Sequence, residues 1–180
     1  VIEYARKQKI PYFGICYGMQ LMVLEYAKNI LKLKDASTEE INPKAKDLVV
    51  GIMEEQREKI AKKDMGGTMR LGSYDCQLVA GTRAAQAYAD RGYGELIHER
   101  HRHRYEVNNK FRRKLMDNGL ILSGLSPDKE LVEMIELKDH PWFVACQFHP
   151  ELKSRATNAH PLFREFVKAA MEHSIEKNGN

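Results

Sequence analysis

The sequence predicts an α/β fold: one domain built on a central, mostly parallel sheet flanked by helices. Three observations carry that prediction. The short apolar run from Ile10 to Ile15 lies between a basic helix end and a helix-periodic stretch, and helix–strand–turn–helix is the unit from which parallel sheets are built. Apolar runs recur downstream as "LVVGIM", "LILSGL", "ELVEMIEL" and "WFVACQFH", each of a length suited to a buried strand. The 180 residues contain no internal repeat and no linker long enough to divide them, so they share one core.

The elements follow in chain order. "VIEYARKQ" reads as the tail of an amphipathic helix, and because it opens on Val1 in mid-element, further sequence is expected upstream. Ile10–Ile15 is a buried strand. Met19, Met22, Val23, Tyr26 and Ile30 then recur at helical spacing. "ASTEEINPKAKD" (36–47) is loop-like and "LVVGIM" (48–53) a strand. "EEQREKIAKKD" (54–64) is a solvated helix or lid, and "MGGTMRLGSYDCQLVAG" (65–81) has the glycines and alternation of two short strands. "TRAAQAYADRGYG" is helical and then turns. "ELIHERHRHRYEVN" (95–108) is a strand charged on both faces, and "NKFRRKLMDNG" (109–119) is a helix closed by Asn-Gly. Three strands follow, then a final amphipathic helix with Pro161 in its first turn and Phe163, Phe166, Val167 and Ala170 on one face.

Composition excludes more than it assigns. Hydrophobic content of 43% and charged content of 30% are those of an ordinary globular chain. No apolar run approaches the roughly 18 residues of a membrane span, so no membrane partner is expected. Three cysteines without paired spacing argue against a disulfide framework and fit a reducing cytoplasm. A net charge of +4 is too mild to imply nucleic acid.

Two motifs carry chemistry. Gly14-Ile15-Cys16-Tyr17-Gly18, between a strand and a helix, has the form of a nucleophile elbow with cysteine at its tip. The turn is sharp enough that glycine suits the positions two before and two after the nucleophile. The following helix aims its amino terminus at the sulfur, which favours thiolate, and the Tyr17 backbone N–H sits where an oxyanion would form. A thiolate nucleophile needs a base, and the base needs an orienting group. "CQFHPE" supplies both: Pro150 holds His149 extended at a strand end, and Glu151 folds back to fix the imidazole tautomer. Cys76 and Cys146 lie in strand-like runs and read as core thiols.

Together, "GICYGMQ" and "QFHPE" resemble the class I glutamine amidotransferases, whose glutaminase domain uses a Cys-His-Glu triad. "STEE", "GGTMRLG", "ERHRHRYEVNN" and "HPWFVACQFHPE" are similar to the glutaminase domains of CTP synthases in particular. The resemblance runs from Ile10 to the last helix. It implies Cys16 as nucleophile, His149 as base and Glu151 as orienter. It implies L-glutamine held by Tyr17, Gly18, Met19 and Gln20, by Glu39 of the "STE" motif, and by Arg104 before "YEVN". The product ammonia would serve ATP-dependent amination of UTP to CTP in a synthase domain.

The resemblance further implies no metal or cofactor in this domain, ATP and Mg2+ in the synthase domain, GTP as activator and a homotetramer. Residues 1–180 are then one glutaminase domain truncated at its N-terminus, with the first strands and a glycine oxyanion loop upstream and the synthase domain absent. Two departures stand out. The family usually has leucine at Tyr17, where only the backbone N–H is used, and phenylalanine at Glu40, which leaves Glu39 and Glu40 as alternative glutamine-binding carboxylates.

Other readings compete. A non-catalytic fragment that binds glutamine or regulates, and the glutaminase domain of another class I amidotransferase, are both compatible with the triad residues. His98, His101 and His103 suggest zinc, but arginines interleave with them and nothing completes a site. The same run suggests RNA, but no aromatic platform accompanies it. A solvated or interdomain charged face is the simpler reading, with "GGTMRLG" as a lid edge.

Overall fold

The computed structural model describes residues 1–52 and 69–178. The stretch 54–64 and the start of 65–81 lie outside the described residues. Helix α1 (Ile2–Lys7) leads into β1 (Tyr12–Ile15), α2 (Tyr17–Asn29), β2 (Ala36–Thr38) and β3 (Asp47–Gly51). After these come β4 (Arg70–Leu78), α3 (Arg83–Ala89), β5 (Leu96–His103), β6 (Glu106–Val107) and α4 (Asn109–Asp117). The chain closes with β7 (Leu120–Leu125), β8 (Val132–Leu137), β9 (Phe143–Cys146), a 3₁₀ turn at Pro150–Leu152, and α5 (Pro161–Asn178).

Six strands form one sheet in the order β1-β9-β8-β7-β4-β5, and β2-β3-β6 form a second, smaller sheet. The α/β class is as expected, but the sheet is mixed rather than mostly parallel. Only β1 and β9 run parallel in the large sheet; β9–β8, β8–β7, β7–β4 and β4–β5 are antiparallel. The helix–strand–helix start does give a parallel neighbour. The later strands β7, β8 and β9 are joined by short loops, which can only reverse direction.

Alternation across β9 shows the layering. Phe143 and Ala145 join a core with Met19, Met22, Val23 and Ala27 of α2, whereas Val144 and Cys146 join a second core with Ala84 and Ala87 of α3 and Leu162 of α5. Helices therefore cover both faces of the sheet. Full burial of side chains such as Met22 and Val23 contributes about 1.5–3 kcal/mol each.

Local details correct the sequence reading at several points. Residues 36–38 of the expected loop pair with β3 as a strand. In place of two short strands, Arg70–Leu78 is one strand, and it spans the full length of β5. The final helix buries Leu162 and Ala169 and half-buries Phe163 and Phe166, while Val167 is exposed. The Asn-Gly stop of α4 is as expected: Asn118 caps it and Gly119 takes a φ of 98°, a conformation that favours glycine. Among the described residues no helix is long and apolar enough to cross a membrane.

Candidate active site

Strand β1 hands over to α2 at Cys16, whose backbone adopts φ 49° and ψ −100°. A side chain at such a φ costs on the order of 1–3 kcal/mol and persists where its surroundings over-determine it. Here they do. The Cys16 N–H donates to the Cys146 carbonyl at 2.7 Å, and the Cys16 carbonyl accepts from the N–H groups of Met19 and Gln20 at 3.0 and 3.2 Å. Gly14 is required by space: a Cβ there would lie 2.9 Å from the Gly18 carbonyl carbon and 3.0 Å from the Ala145 Cβ. At Gly18 a Cβ would meet the Tyr12 hydroxyl at an ordinary 3.5 Å. The expectation that the turn demands glycine on both sides therefore holds sterically only for the first.

The sulfur of Cys16 is half-buried. Burial pushes its thiol pKa up. The Tyr17 backbone N–H and the Gln147 side-chain amide pull it back down, and the charges of Glu151 and Glu106 oppose them. The thiolate-favouring donors at the helix terminus are thus present, but burial dominates and the net shift is upward. Cys76 and Cys146 are fully buried, and burial raises both thiols further.

Because β1 and β9 are parallel neighbours with Ile15 opposite Cys146, Cys16 and residues 147–151 leave the sheet at the same end. His149 is fastened there by its backbone N–H, which donates to the Arg100 carbonyl of edge strand β5 at 2.8 Å. Its Nδ1 lies 2.6 Å from Glu151 Oε1. An Nδ1–H donating to that carboxylate leaves Nε2 as the lone-pair nitrogen, and Nε2 is buried without a hydrogen-bond partner among the described residues. The 3₁₀ turn that carries Glu151 is braced from β5: Lys153 Nζ donates to the His98 carbonyl and to Glu99 Oε1, the latter at 3.3 Å. Glu99 is itself buried and also meets the Tyr88 hydroxyl at 3.0 Å and His160 Nε2 at 3.1 Å.

The ends of the small sheet carry two of the residues expected to hold glutamine, Glu39 and Arg104. Glu39 follows β2, and its Oε2 accepts from the Ile52 N–H at 2.7 Å. Gly51 leaves room for that carboxylate, since a Cβ there would sit 2.8 Å from Oε2. Glu40 is exposed, so the structure separates the two adjacent glutamates: Glu39 is held by the end of β3 and Glu40 faces solvent. Arg104 is half-buried on the bend between β5 and β6. Gln20, nearly fully buried, donates from Nε2 to the Tyr105 carbonyl at 3.3 Å, which ties α2 to that bend. Met19 is fully buried in the core, and Tyr17 has an exposed side chain.

A cluster that the sequence reading missed lies behind these residues. Along β5 the inward positions are Ile97, Glu99, His101 and His103, and the outward ones Leu96, His98, Arg100 and Arg102. The charged run is therefore not a solvated face: half of it is buried. His98 points away from His101 and His103 and bonds Asp75 at 2.6 Å. His103 Nδ1 reaches the Tyr105 carbonyl at 3.2 Å, and His103 Nε2 meets His101 Nδ1 at 2.8 Å. A carbonyl only accepts, so His103 donates from Nδ1 and His101 donates in turn to His103 Nε2.

Arg70 completes the cluster, with its guanidinium 2.8 Å from Glu133, 3.3 Å from Glu106 and 4.5 Å from the centre of the Tyr74 ring. One cation faces two buried carboxylates. Burial pushes Glu106, the more distant, up to about 8 against the pull of Arg70. Burial first, then Arg70, drives His101 down to about 2 and His103 down to about 3. The signal that would have found these residues is the two-residue period of 97, 99, 101 and 103 in phase with an isoleucine.

With the geometry in place, comparison with known proteins is informative. Residues 1–169 match the model of a family described as glutamine amidotransferase class-I. The chain is 55% identical to the CTP synthase of Caldanaerobacter subterraneus subsp. tengcongensis over 97% of its own length and 31% of that protein. It is 50% identical to the CTP synthase of Bacillus subtilis, again over 97% of this chain and 31% of the relative. The chain thus spans about a third of the curated relatives it matches. Among solved structures, the glutaminase domain of Trypanosoma brucei CTPS with bound acivicin superposes with a TM-score of 0.86 at 35% identity, covering 95% of this chain and 64% of that one. A Thermoplasma acidophilum protein described as a GMP synthase component, at 18% identity and TM-score 0.60, covering 98% of this chain and 65% of that one, shares the fold.

Proposed function

The chain belongs to the class I glutamine amidotransferase family, and from that premise we propose that it hydrolyses L-glutamine through a thioester on Cys16, supplying ammonia to a synthase domain that aminates UTP to CTP. The observation that carries this reading is the end of the β1–β9 pair. There a cysteine is held in a strained turn, and a histidine, fixed through Nδ1 to Glu151 at 2.6 Å, keeps a buried Nε2 without a partner among the described residues.

The steps follow from that geometry. His149 Nε2 takes the thiol proton and the sulfur attacks the side-chain carbonyl carbon of glutamine. The oxyanion that forms lies near the Tyr17 N–H. The imidazolium, stabilised by Glu151, gives its proton to the departing nitrogen; the C–N bond breaks and ammonia leaves. Water then loses a proton to Nε2 as its oxygen bonds the thioester carbon. The C–S bond breaks, its electron pair returns to sulfur, and glutamate departs. In this reading Glu39 pairs with the α-ammonium of glutamine and Arg104 with its α-carboxylate, and Gln20 contributes its amide to the same site. ATP and Mg2+ belong to the synthase reaction, GTP acts as activator, and the whole protein works as a cytoplasmic homotetramer.

The test is release of glutamate and ammonia from L-glutamine by the protein that carries this chain, with and without Cys16→Ala. Release by the wild type and none by the variant is expected. CTP formation from added ammonia should survive the substitution, because it uses a separate site. Equal glutamate release from both would overturn the assignment.

A further inference from the structure

One side chain at the catalytic end has no role in the steps above. Gln147 follows β9 directly, two residues before His149. It is 0% exposed. Its backbone N–H is fixed to the Glu133 carbonyl at 2.8 Å, which sets where the side chain starts. Its Nε2 lies 3.6 Å from the Cys16 sulfur, and its Oε1 is buried with no partner among the described residues.

A fully buried amide with an unsatisfied acceptor is costly. No carboxylate or carbonyl among the described residues holds this one in place; the group it meets is the nucleophile. We infer that Gln147 is a further catalytic residue, whose amide N–H stabilises the Cys16 sulfur as an anion before attack and again when sulfur is expelled from the thioester.

The electrostatics give the interaction a direction. A hydrogen bond to an ionised acceptor is roughly twice as strong as one to a neutral acceptor. The Gln147 N–H therefore binds thiolate in preference to thiol, and thiolate in preference to the neutral thioester sulfur. Burial alone raises the thiol pKa, and this amide is one of the two groups opposing that rise. The other is the Tyr17 N–H, which is also the donor assigned to the oxyanion, whereas Gln147 is given no other task. This role rests on the glutaminase reading for its second half, thioester breakdown, but the thiolate half does not.

The experiment uses that independence. Cys16 is alkylated with iodoacetamide across pH 6 to 10 in the protein that carries this chain, with mass mapping of the adduct, for wild type and for Gln147→Met, which keeps the shape and removes the donor. The midpoint of the alkylation profile should rise by about one pH unit, so that alkylation at pH 7 slows about tenfold. The kcat for glutamine hydrolysis should fall about tenfold, with KM within about twofold. A folded variant whose alkylation midpoint matches wild type overturns the inference, because a residue that merely fills space would leave the thiol pKa in place. Thermal unfolding checks the fold, and Gln147→Leu carries the same test if the methionine variant does not fold. Wild-type protein that releases no glutamate would overturn the proposed function while leaving the alkylation comparison decisive for Gln147.

Discussion

The end of the β1–β9 pair and the cluster around Arg70 are neighbours built on opposite principles. At the β1–β9 end, Cys16 sits at a strained φ, and His149 Nε2 and Gln147 Oε1 are buried without partners among the described residues. In the cluster behind it, Arg70 pairs with Glu106 and Glu133, and His103 links His101 to the Tyr105 carbonyl. The first region keeps its unpartnered atoms at the end of the sheet that carries Cys16; the second also leaves His101 Nε2, Glu106 Oε2 and Glu133 Oε2 without hydrogen-bond partners among the described residues, but ties its side chains to one another through Arg70 and His103. Reactive groups are tolerated at one end of a sheet because backbone hydrogen bonds fix their positions, Cys16 N–H to the Cys146 carbonyl and His149 N–H to the Arg100 carbonyl. Variants in the first region should therefore cost activity and spare stability, and variants in the second should do the reverse.

The largest contrast is expected from His149→Asn. It should lower kcat for glutamine hydrolysis by at least ~10⁴-fold while leaving the urea unfolding midpoint almost unchanged. A matching loss of stability would break the distinction between the regions. Arg70→Met is the converse. Removing the cation that pairs with both buried carboxylates among the described residues should cost about 3–5 kcal/mol in unfolding free energy. A folded variant with wild-type stability would show that Glu106 and Glu133 tolerate each other without it.

His103 sharpens the comparison through pH. It is neutral in the folded protein, with its pKa driven down to about 3, and ordinary at 6.5 when unfolded. The unfolded chain therefore binds the extra proton as pH falls below 6.5, and the stability that His103 contributes above that pH is lost progressively toward pH 3. Unfolding in urea at pH 7, 6 and 5 should show wild type losing more stability than His103→Gln, with a slope difference approaching about 1.4 kcal/mol per pH unit. Parallel slopes would mean that His103 is not a buried neutral imidazole. The smallest effect is expected at the join. Lys153→Met releases the brace between β5 and the turn that carries Glu151, and should lower kcat about fivefold, as for one hydrogen bond worth about 1 kcal/mol. An unchanged kcat would mean that the backbone bonds of the turn hold it without the lysine.

How much of this was legible in the sequence differs between the two regions for a physical reason. Cys16 with its glycines, and His149 with Pro150 and Glu151, are each contiguous, and each motif reflects chain geometry that a few residues impose on themselves. Arg70, His101, Glu106 and Glu133 come from four strands, and only His101 is marked by its neighbours in the chain, through its alternation in phase with Ile97. Gln147 was in plain view beside His149, but its amide gains a meaning only when the parallel pairing of β1 and β9 brings the Cys16 sulfur to it.

By itself, then, the sequence determined the class of fold, the positions of most strands and helices, the elbow at Cys16 and the residues of the His-Glu pair. All of these follow from periodicity and from local backbone constraint. Tertiary structure alone decided the antiparallel course of the later strands, the choice of Glu39 over Glu40 as the carboxylate held inward, and the burial of half the "HERHRHR" run. It also decided that burial, rather than the helix terminus, sets the direction of the Cys16 pKa. Each of these depends on which surfaces meet across the sheet, and desolvation is a property of the assembled core that no short stretch of chain carries.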